Sequence, residues 1–380
     1  SGWCGAVGTE RCPPPFLVPV VPLVPLLLGC FLPLALRRGS EQLGCLPAPG
    51  LSRRQVARCA CRPGAPPPAF PNGCYRLLDS AQLPRGAVRS LALLSYGKQL
   101  AAFRSQNGQA YVVDAYCPHL GADLAAGGRI MGGCMECPFH GWQFQGEDGK
   151  CISILYAEKV PDFARVWTWP SCEVNGVLLV WYHCKGVGPT WAVPEQREIT
   201  TKEWVFHGQT AHLVDMHIQV VSPLPPWGTS MPGSSPIVQF RDISCQLTHS
   251  GTSPPNYAGP AWCSVALQVG PGLDFLIFEH TFLGPGIILQ MVTPLKPILQ
   301  NVVHKIYPQK NMLAIIPKFI LRVECIQFDC DITIWNNKQY LPKPLLIRED
   351  STIQKRRRWY AQFYSEKSTR LLVQKEGLEW

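Results

Sequence analysis

One stretch constrains this chain more than any other: CPHLGADLAAGGRIMGGCMECPFHGW, from Cys117 to Trp142. It sets Cys117-x-His119, then seventeen residues, then Cys137-x-x-His140. Two cysteines and two histidines in that order match the donor set of a Rieske [2Fe–2S] centre. Soft thiolates hold one iron and its bridging sulfides, and two neutral imidazoles hold the other. The imidazoles leave the cluster less negative than four thiolates would, which raises its potential. A structural zinc site is the competing reading, since Cys2His2 is also a common zinc set. Zinc fingers usually keep like ligands together, whereas each pair here mixes one cysteine with one histidine. The two loops also match, Cys-Pro-His-Leu-Gly and Cys-Pro-Phe-His-Gly-Trp. Proline fixes φ, and glycine lets the backbone fold tightly so that amides reach the sulfurs.

Respiratory-chain Rieske proteins carry an extra cysteine in each loop, and those two form a disulfide. Ala122 and Phe139 stand at those positions, and Trp142 replaces the serine that follows His-Gly. Fewer donors to the sulfurs imply a lower potential, which suits oxygenases and soluble ferredoxins.

The chain has 380 residues, enough for two domains. Its formal charge is +9, with +4 of that in residues 1–60, so no basic nucleic-acid face stands out. Seventeen cysteines are present, an odd number, and six precede residue 62. A cluster needs free thiolates and reducing power, so the remaining cysteines read as buried or free thiols.

Residues 1–15 read as a leader. Phe16–Leu36 is nearly all apolar and long enough to cross a bilayer, although four prolines make it a poor helix. Arg37, Arg38, Arg53 and Arg54 follow it, which places the downstream part in the cytoplasm by the positive-inside rule. The expectation is a single-pass membrane anchor, the low-complexity leader being the alternative. Residues 37–70 lack periodicity and read as a disordered linker.

Folded structure is expected from near Asn72. Gln99–Arg104 and Ala110–Tyr116 flank Asn107-Gly108 as a β-hairpin feeding the first loop, and Val177–Tyr182 is a further strand. Residues 71–190 therefore read as an antiparallel β domain. Strand-like runs at Trp262–Val269, Phe275–Phe282 and Ile287–Val292 follow. Met312–Lys338 reads as a long helix, with Leu313, Ile316, Ile320, Val323, Phe328, Ile334 and Trp335 spaced by helical turns. The fold class is α+β. Asp331 lies three or four residues from Phe328, Ile334 and Trp335, so it shares that apolar face and needs a cation or donors, unless it reaches solvent at the border. The run Lys355–Arg358 reads as a solvated basic face.

With the cluster motif, CDITIWNNKQYLPKPLL and REDSTIQKRRRWYAQFYSE in view, the chain resembles the Neverland family of Rieske oxygenases, the cholesterol 7-desaturases. YRLLDSAQLPRG, AYCPHLGADLAAGG, WVFHGQTAH and MHIQ also match, so the likeness covers about residues 71–366. The resemblance implies a Rieske domain followed by a helix-grip catalytic domain over 191–366, with residues 367–380 as a tail. It implies a [2Fe–2S] cluster on Cys117, His119, Cys137 and His140, and a mononuclear non-haem Fe(II) with Asp331 as carboxylate ligand. It further implies NAD(P)H electrons delivered through a reductase, cholesterol as substrate, an endoplasmic-reticulum membrane location and a homotrimer. Nucleic acid is not an implied partner.

The chain departs from the family at one place. After MHIQ the family carries Asn-Gly-Ala-Asp and then two histidines, completing a 2-His-1-carboxylate iron site. Here residues 220–236 read VVSPLPPWGTSMPGSSP, with no histidine and no acid. His207, His212 and His217 repeat a four-residue gap but lack the preceding aspartate, Trp204 and Gln209 standing there instead. On a regular helix such pairs diverge, so these histidines read as structural. The alternative to a working desaturase is a form that keeps only the cluster.

Overall fold

The computed structural model describes residues 43–44, 67–92, 98–221, 240–246, 262–280, 284–338 and 340–368. The apolar run at 16–36 and the proline-rich stretch from 222 to 236 lie outside them. Among the described residues no helix is long and apolar enough to cross a membrane.

After a two-residue strand β1 (Leu43–Gly44), the first half of the chain is made of short antiparallel strands. β2 (Gly73–Asp79) pairs with β12 (Val177–Tyr182), which pairs with β11 (Ser171–Val174). β3 (Val88–Ala92), β4 (Gln99–Arg104), β5 (Ala110–Asp114) and β10 (Thr168–Trp169) form a second sheet. The β4–β5 hairpin turns at Asn107-Gly108, where Gly108 takes φ +97°. Only glycine adopts that conformation cheaply, so the expected turn forms where the sequence places it. A third sheet, β6 (Arg129–Met131), β7 (Cys134–Glu136), β8 (Gln143–Gln145) and β9 (Cys151–Ser153), is inserted between β5 and β10.

The second half builds one seven-stranded sheet. β13 (Gly208–Val214), β14 (Phe240–Gln246), β15 (Trp262–Gly270), β16 (Leu273–His280), β17 (Gly284–Lys296) and β18 (Leu299–Pro308) join β1 in the order β1-β13-β18-β17-β16-β15-β14. All pairs are antiparallel except β1 with β13. Two short helical turns, α1 (Arg197–Thr200) and α2 (Ile218–Val221), flank β13. A long helix α3 (Ile315–Asn337) lies across one face of the sheet, and α4 (Ser351–Ala361) follows.

β17 is buried on both faces from Gly286 to Pro294 because each face has a partner. Leu289, Met291, Val303 and Phe275 pack against Cys74, Val177, Leu179 and Trp181 of the first half. Val292 and Val302 face α3 through Phe328 and Ile332. Buried Lys305 ion-pairs with Asp79 at 3.1 Å, and Arg76 reaches the same carboxylate oxygen at 3.0 Å. That cluster ties the two halves together at a fixed register.

Three sequence expectations are corrected. Ala69 and Phe70, assigned to the linker, are each only 1% exposed and belong to the core. The helix buries Pro317, Leu321, Cys325, Phe328 and Ile332, while Leu313, Val323 and Ile334 face outward. Apolar residues surround much of this helix, so spacing alone could not choose its inner face. Arg356 is buried, not solvated, where the Asp274 carboxylate faces it.

Candidate cluster and oxygenase site

The two matching loops sit at the tip of the inserted sheet. The first leaves β5 and the second leaves β7. Each closes by the same pair of backbone bonds. Cys117 N–H donates to Ala122 O at 2.8 Å and Gly121 N–H returns to Cys117 O at 2.8 Å. Cys137 N–H donates to Trp142 O at 2.8 Å and Gly141 N–H returns to Cys137 O at 3.1 Å. Gly121 and Gly141 adopt φ +75° and +70°. A Cβ at Gly141 would also collide with Leu155.

This folding brings all four sequence-predicted residues together. Cys117 and Cys137 are each 3% exposed and join the domain core beside Leu124, Met135 and Phe144. His119 and His140 are half-buried above them, with ring centroids 4.9 Å apart. Trp142 stacks on His119 at 4.7 Å and donates its indole N–H to Tyr156 Oη at 2.9 Å. Burial pushes the Cys117 thiol up to about 11; the adjacent Cys137 sulfur adds to this, and the amides of His119 and Leu120 oppose it. Sulfurs inside, imidazoles outside and amides aimed at sulfur fit a [2Fe–2S] cluster held by two unlike pairs. Among the described residues no three His, Cys, Asp or Glu side chains converge as for one metal ion. A two-iron cluster asks for a pair at each iron, so that finding leaves its fit intact.

The second metal site is different. Asp331 lies half-buried on α3, its carboxyl raised by burial and partly offset by the Gln327 side chain. The neighbouring histidines do not join it. The segment holding His212 is strand β13, not helix, so His207 and His212 point to opposite faces. His207 Nδ1 lies 3.0 Å from Val205 O. His212 Nδ1 lies 3.4 Å from Asp329, two residues before Asp331 and on another side of the helix. His217 donates from Nε2 to Pro68 O at 3.1 Å, and burial lowers its pKa to about 4. The described residues thus supply one carboxylate and no histidine pair, which does not fit a mononuclear iron triad. The family position of that pair lies outside the described residues.

The sequence reading missed a polar row across the sheet. Thr210 on β13, His304 on β18, Gln290 on β17, Asp274 on β16 and Gln268 on β15 are direct cross-strand neighbours. All are buried, from 0% exposed at His304 to 6% at Gln268. His304 lies 3.4 Å from Thr210 Oγ1 through Nδ1 and 3.0 Å from Gln290 Oε1 through Nε2. Burial lowers its pKa to about 3, so the ring is neutral. Each strand of the row also holds other polar residues, such as Gln209, Glu279, Thr293 and Lys305, so the row left no distinct signal in the sequence.

Comparison with known proteins agrees with both halves. A Rieske [2Fe-2S] domain family matches residues 73–164, and a 3-ketosteroid 9alpha-hydroxylase C-terminal domain family matches residues 238–364. The chain is similar in structure to apo dicamba monooxygenase, with TM-score 0.62 at 15% identity, covering 77% of this chain and 96% of that one. That likeness concerns the fold. In sequence it is 37% identical to the cholesterol 7-desaturase of Caenorhabditis elegans, covering 82% of this chain and 81% of that one. It is 49% identical to cholesterol 7-desaturase nvd of Xenopus laevis over 407 positions, covering 96% of this chain and 88% of that one. From paired loops, fold and sequence together, the chain belongs to the cholesterol 7-desaturase family of Rieske oxygenases.

Proposed function

We propose that this chain is a cholesterol 7-desaturase, taking hydrogens from C7 and C8 of cholesterol to give 7-dehydrocholesterol. Support comes above all from its 49% identity to the Xenopus laevis desaturase along nearly the whole chain. Cys117 and Cys137 would hold one iron of the cluster from inside the core, and His119 and His140 the other from the half-buried side. When bound, the cluster supplies one-electron transfer. Trp142 and Tyr156 fix the His119 ring beside it. Asp331 is the carboxylate ligand proposed for the catalytic iron.

The electron count defines the partners. The sterol gives up two electrons and two protons, a reductase fed by NAD(P)H supplies two further electrons, and with two solvent protons O₂ leaves as two waters. The reductase, an anchor at residues 16–36 holding the protein to the endoplasmic-reticulum membrane with its catalytic part in the cytoplasm, and a homotrimer are parts of the same proposal. Residues 71–190 and 191–366 are its two functional units. Expression with a reductase and cholesterol tests it: 7-dehydrocholesterol is expected, and none from protein with a loaded cluster would overturn it.

One observation favours a second reading. The alignment with the Xenopus laevis protein spans 407 positions against a chain of 380, so that relative carries residues this chain lacks. Residues 220–236 also lack histidine where the family pair belongs. A chain without that pair would act only in electron transfer. Analysis of the purified protein separates the two: iron in excess of acid-labile sulfide supports the oxygenase, and equal amounts support the cluster alone.

A further inference from the structure

The long helix has a second apolar face. Leu321, Cys325, Phe328 and Ile332 turn α3 toward the sheet. Phe319, Val323, Ile326, Cys330 and Ile334 recur every three or four residues on the opposite side, one stripe of a 3.6-residue helix. Val323, Ile326 and Ile334 are 42%, 54% and 63% exposed. The segment after the helix continues the pattern, with Leu341, Leu345 and Ile347 exposed, Leu345 at 99%. A contiguous exposed apolar face marks an interaction surface. Cations border this one. Among the described residues from 310 to 348, Lys310, Lys318, Arg322, Lys338, Lys343 and Arg348 are exposed, against one exposed acid, Asp329. Lys318 and Arg322 lie along one edge of the stripe and Lys338 along the other.

The position of the helix says which partner fits. α3 runs along β13: Asp329 faces His212 at 3.4 Å, and Asn336 Oδ1 accepts from Asp215 N–H at 3.0 Å. β1 pairs with β13, Leu43 opposite Thr210. Leu43 is seven residues beyond Leu36, the end of the proposed anchor, a reach of at most about 25 Å. The chain meets the fold again near the end of the helix, where His217 holds Pro68 O at 3.1 Å and its ring lies 6.2 Å from that of Tyr340. Both approaches keep α3 within chain reach of the bilayer that the anchor would cross. An apolar stripe between Lys and Arg is also the composition of a helix lying in the plane of an anionic membrane, its cations reaching the headgroups. The same face paired with itself in a second copy would instead set like charges against each other.

We propose that the outer stripe of α3, together with Leu341, Leu345 and Ile347, docks on an anionic bilayer surface as an interfacial helix. Its place beside the bilayer rests on the reading of residues 16–36 as an anchor. The full chain, reconstituted in vesicles holding a phosphatidylcholine with a photoactivatable diazirine in its acyl chain, tests it. After illumination, mass spectrometry of peptides should find lipid adducts within residues 319–347 as well as within 16–36. Adducts on 319–347 should be about fivefold more abundant when phosphatidylserine is included, since each cation at an anionic surface contributes about that factor. Adducts confined to 16–36 overturn the proposal, as does a cross-link from α3 to a second copy in place of lipid. Equal labelling with and without phosphatidylserine overturns the anionic surface as partner. Adducts on 319–347 alone uphold the docking face and remove the anchor; adducts on neither remove both. The double variant Val323→Glu, Ile326→Glu alters only exposed positions. It should lower the 319–347 adducts about tenfold and leave those on 16–36, and the visible absorption of the cluster, unchanged. A folded double variant that keeps its 319–347 adducts overturns the proposal as well.

Discussion

The cluster loops and the helix-side face of the large sheet solve the same problem by opposite means. Both must hold polar side chains inside an apolar surround. In the loops the four residues come from 24 consecutive positions, Cys117 to His140, and the first loop's backbone supplies its own amides to the Cys117 sulfur. On the sheet the polar row draws one residue from each of five strands, from Thr210 to His304, and its cover from α3. A local site survives changes far away in the chain. A site assembled from distant strands depends on every connection between them.

The largest effect should come from the loops. Cys137→Ser removes one of the two buried sulfurs, and a hydroxyl is a poor ligand for iron beside sulfide. Visible absorption, acid-labile sulfide and the EPR signal of the reduced protein should all be lost. Asp331→Ala should leave those three signals unchanged and remove product formation. If Asp331→Ala also bleached the protein, the two sites would not be independent, and the comparison would break.

Next comes the cover of the sheet. Phe328 is 4% exposed and packs on both His212 and His304. Phe328→Ala leaves a cavity and should lower the unfolding free energy by about 3–5 kcal/mol in urea titrations. Cluster signals at low denaturant should persist, because Cys117 and Cys137 belong to a different core cluster from Phe328.

A smaller effect is expected at Arg104, which is inside the first half. Its guanidinium takes Glu173 in a two-pronged pair at 2.8 Å for each bond and donates to Leu83 O and Gly108 O as well. Glu173 is a third exposed, so Arg104→Met should cost about 1–3 kcal/mol. Arg104 holds the Glu173 carboxyl below its ordinary value of 4.5. A depressed carboxylate stabilises the fold above its unfolded pKa and loses that contribution as pH falls through the folded one. Stability should therefore decline on acidification below about pH 4.5, and the slope should flatten in Arg104→Met. An unchanged slope would remove the pair from the account.

How much of this could be read from the chain follows the same division. The two loops that bring Cys117, His119, Cys137 and His140 together, the β4–β5 hairpin and strand Val177–Tyr182 were legible because each is encoded in adjacent residues. The long helix was legible as an element but not in orientation, since Val323, Ile326 and Ile334 are apolar yet exposed. His212 was read on a helical repeat, whereas cross-strand pairing with Val302 makes its segment a strand. That pairing joins positions 90 residues apart, and local spacing carries no trace of it. For the same reason the polar row became visible only once the strands were in register.

The smallest expected effect probes how self-sufficient the loops are. Trp142 lies flat on His119, and its indole N–H is taken by Tyr156 Oη at 2.9 Å. Tyr156 is 63% exposed, so water can replace the hydroxyl once it is gone. Tyr156→Phe should thus cost only about 0.5–1 kcal/mol, leave iron and sulfide content at the unaltered level, and keep the indole stacked. The backbone bonds from Gly121 and Gly141 remain in the variant, and they set the loop shape. Loss of cluster from Tyr156→Phe would mean that the loops borrow their geometry from outside, as the sheet site does. Retention of cluster with a small stability loss would place the whole determinant of the site within the two glycine-closed turns.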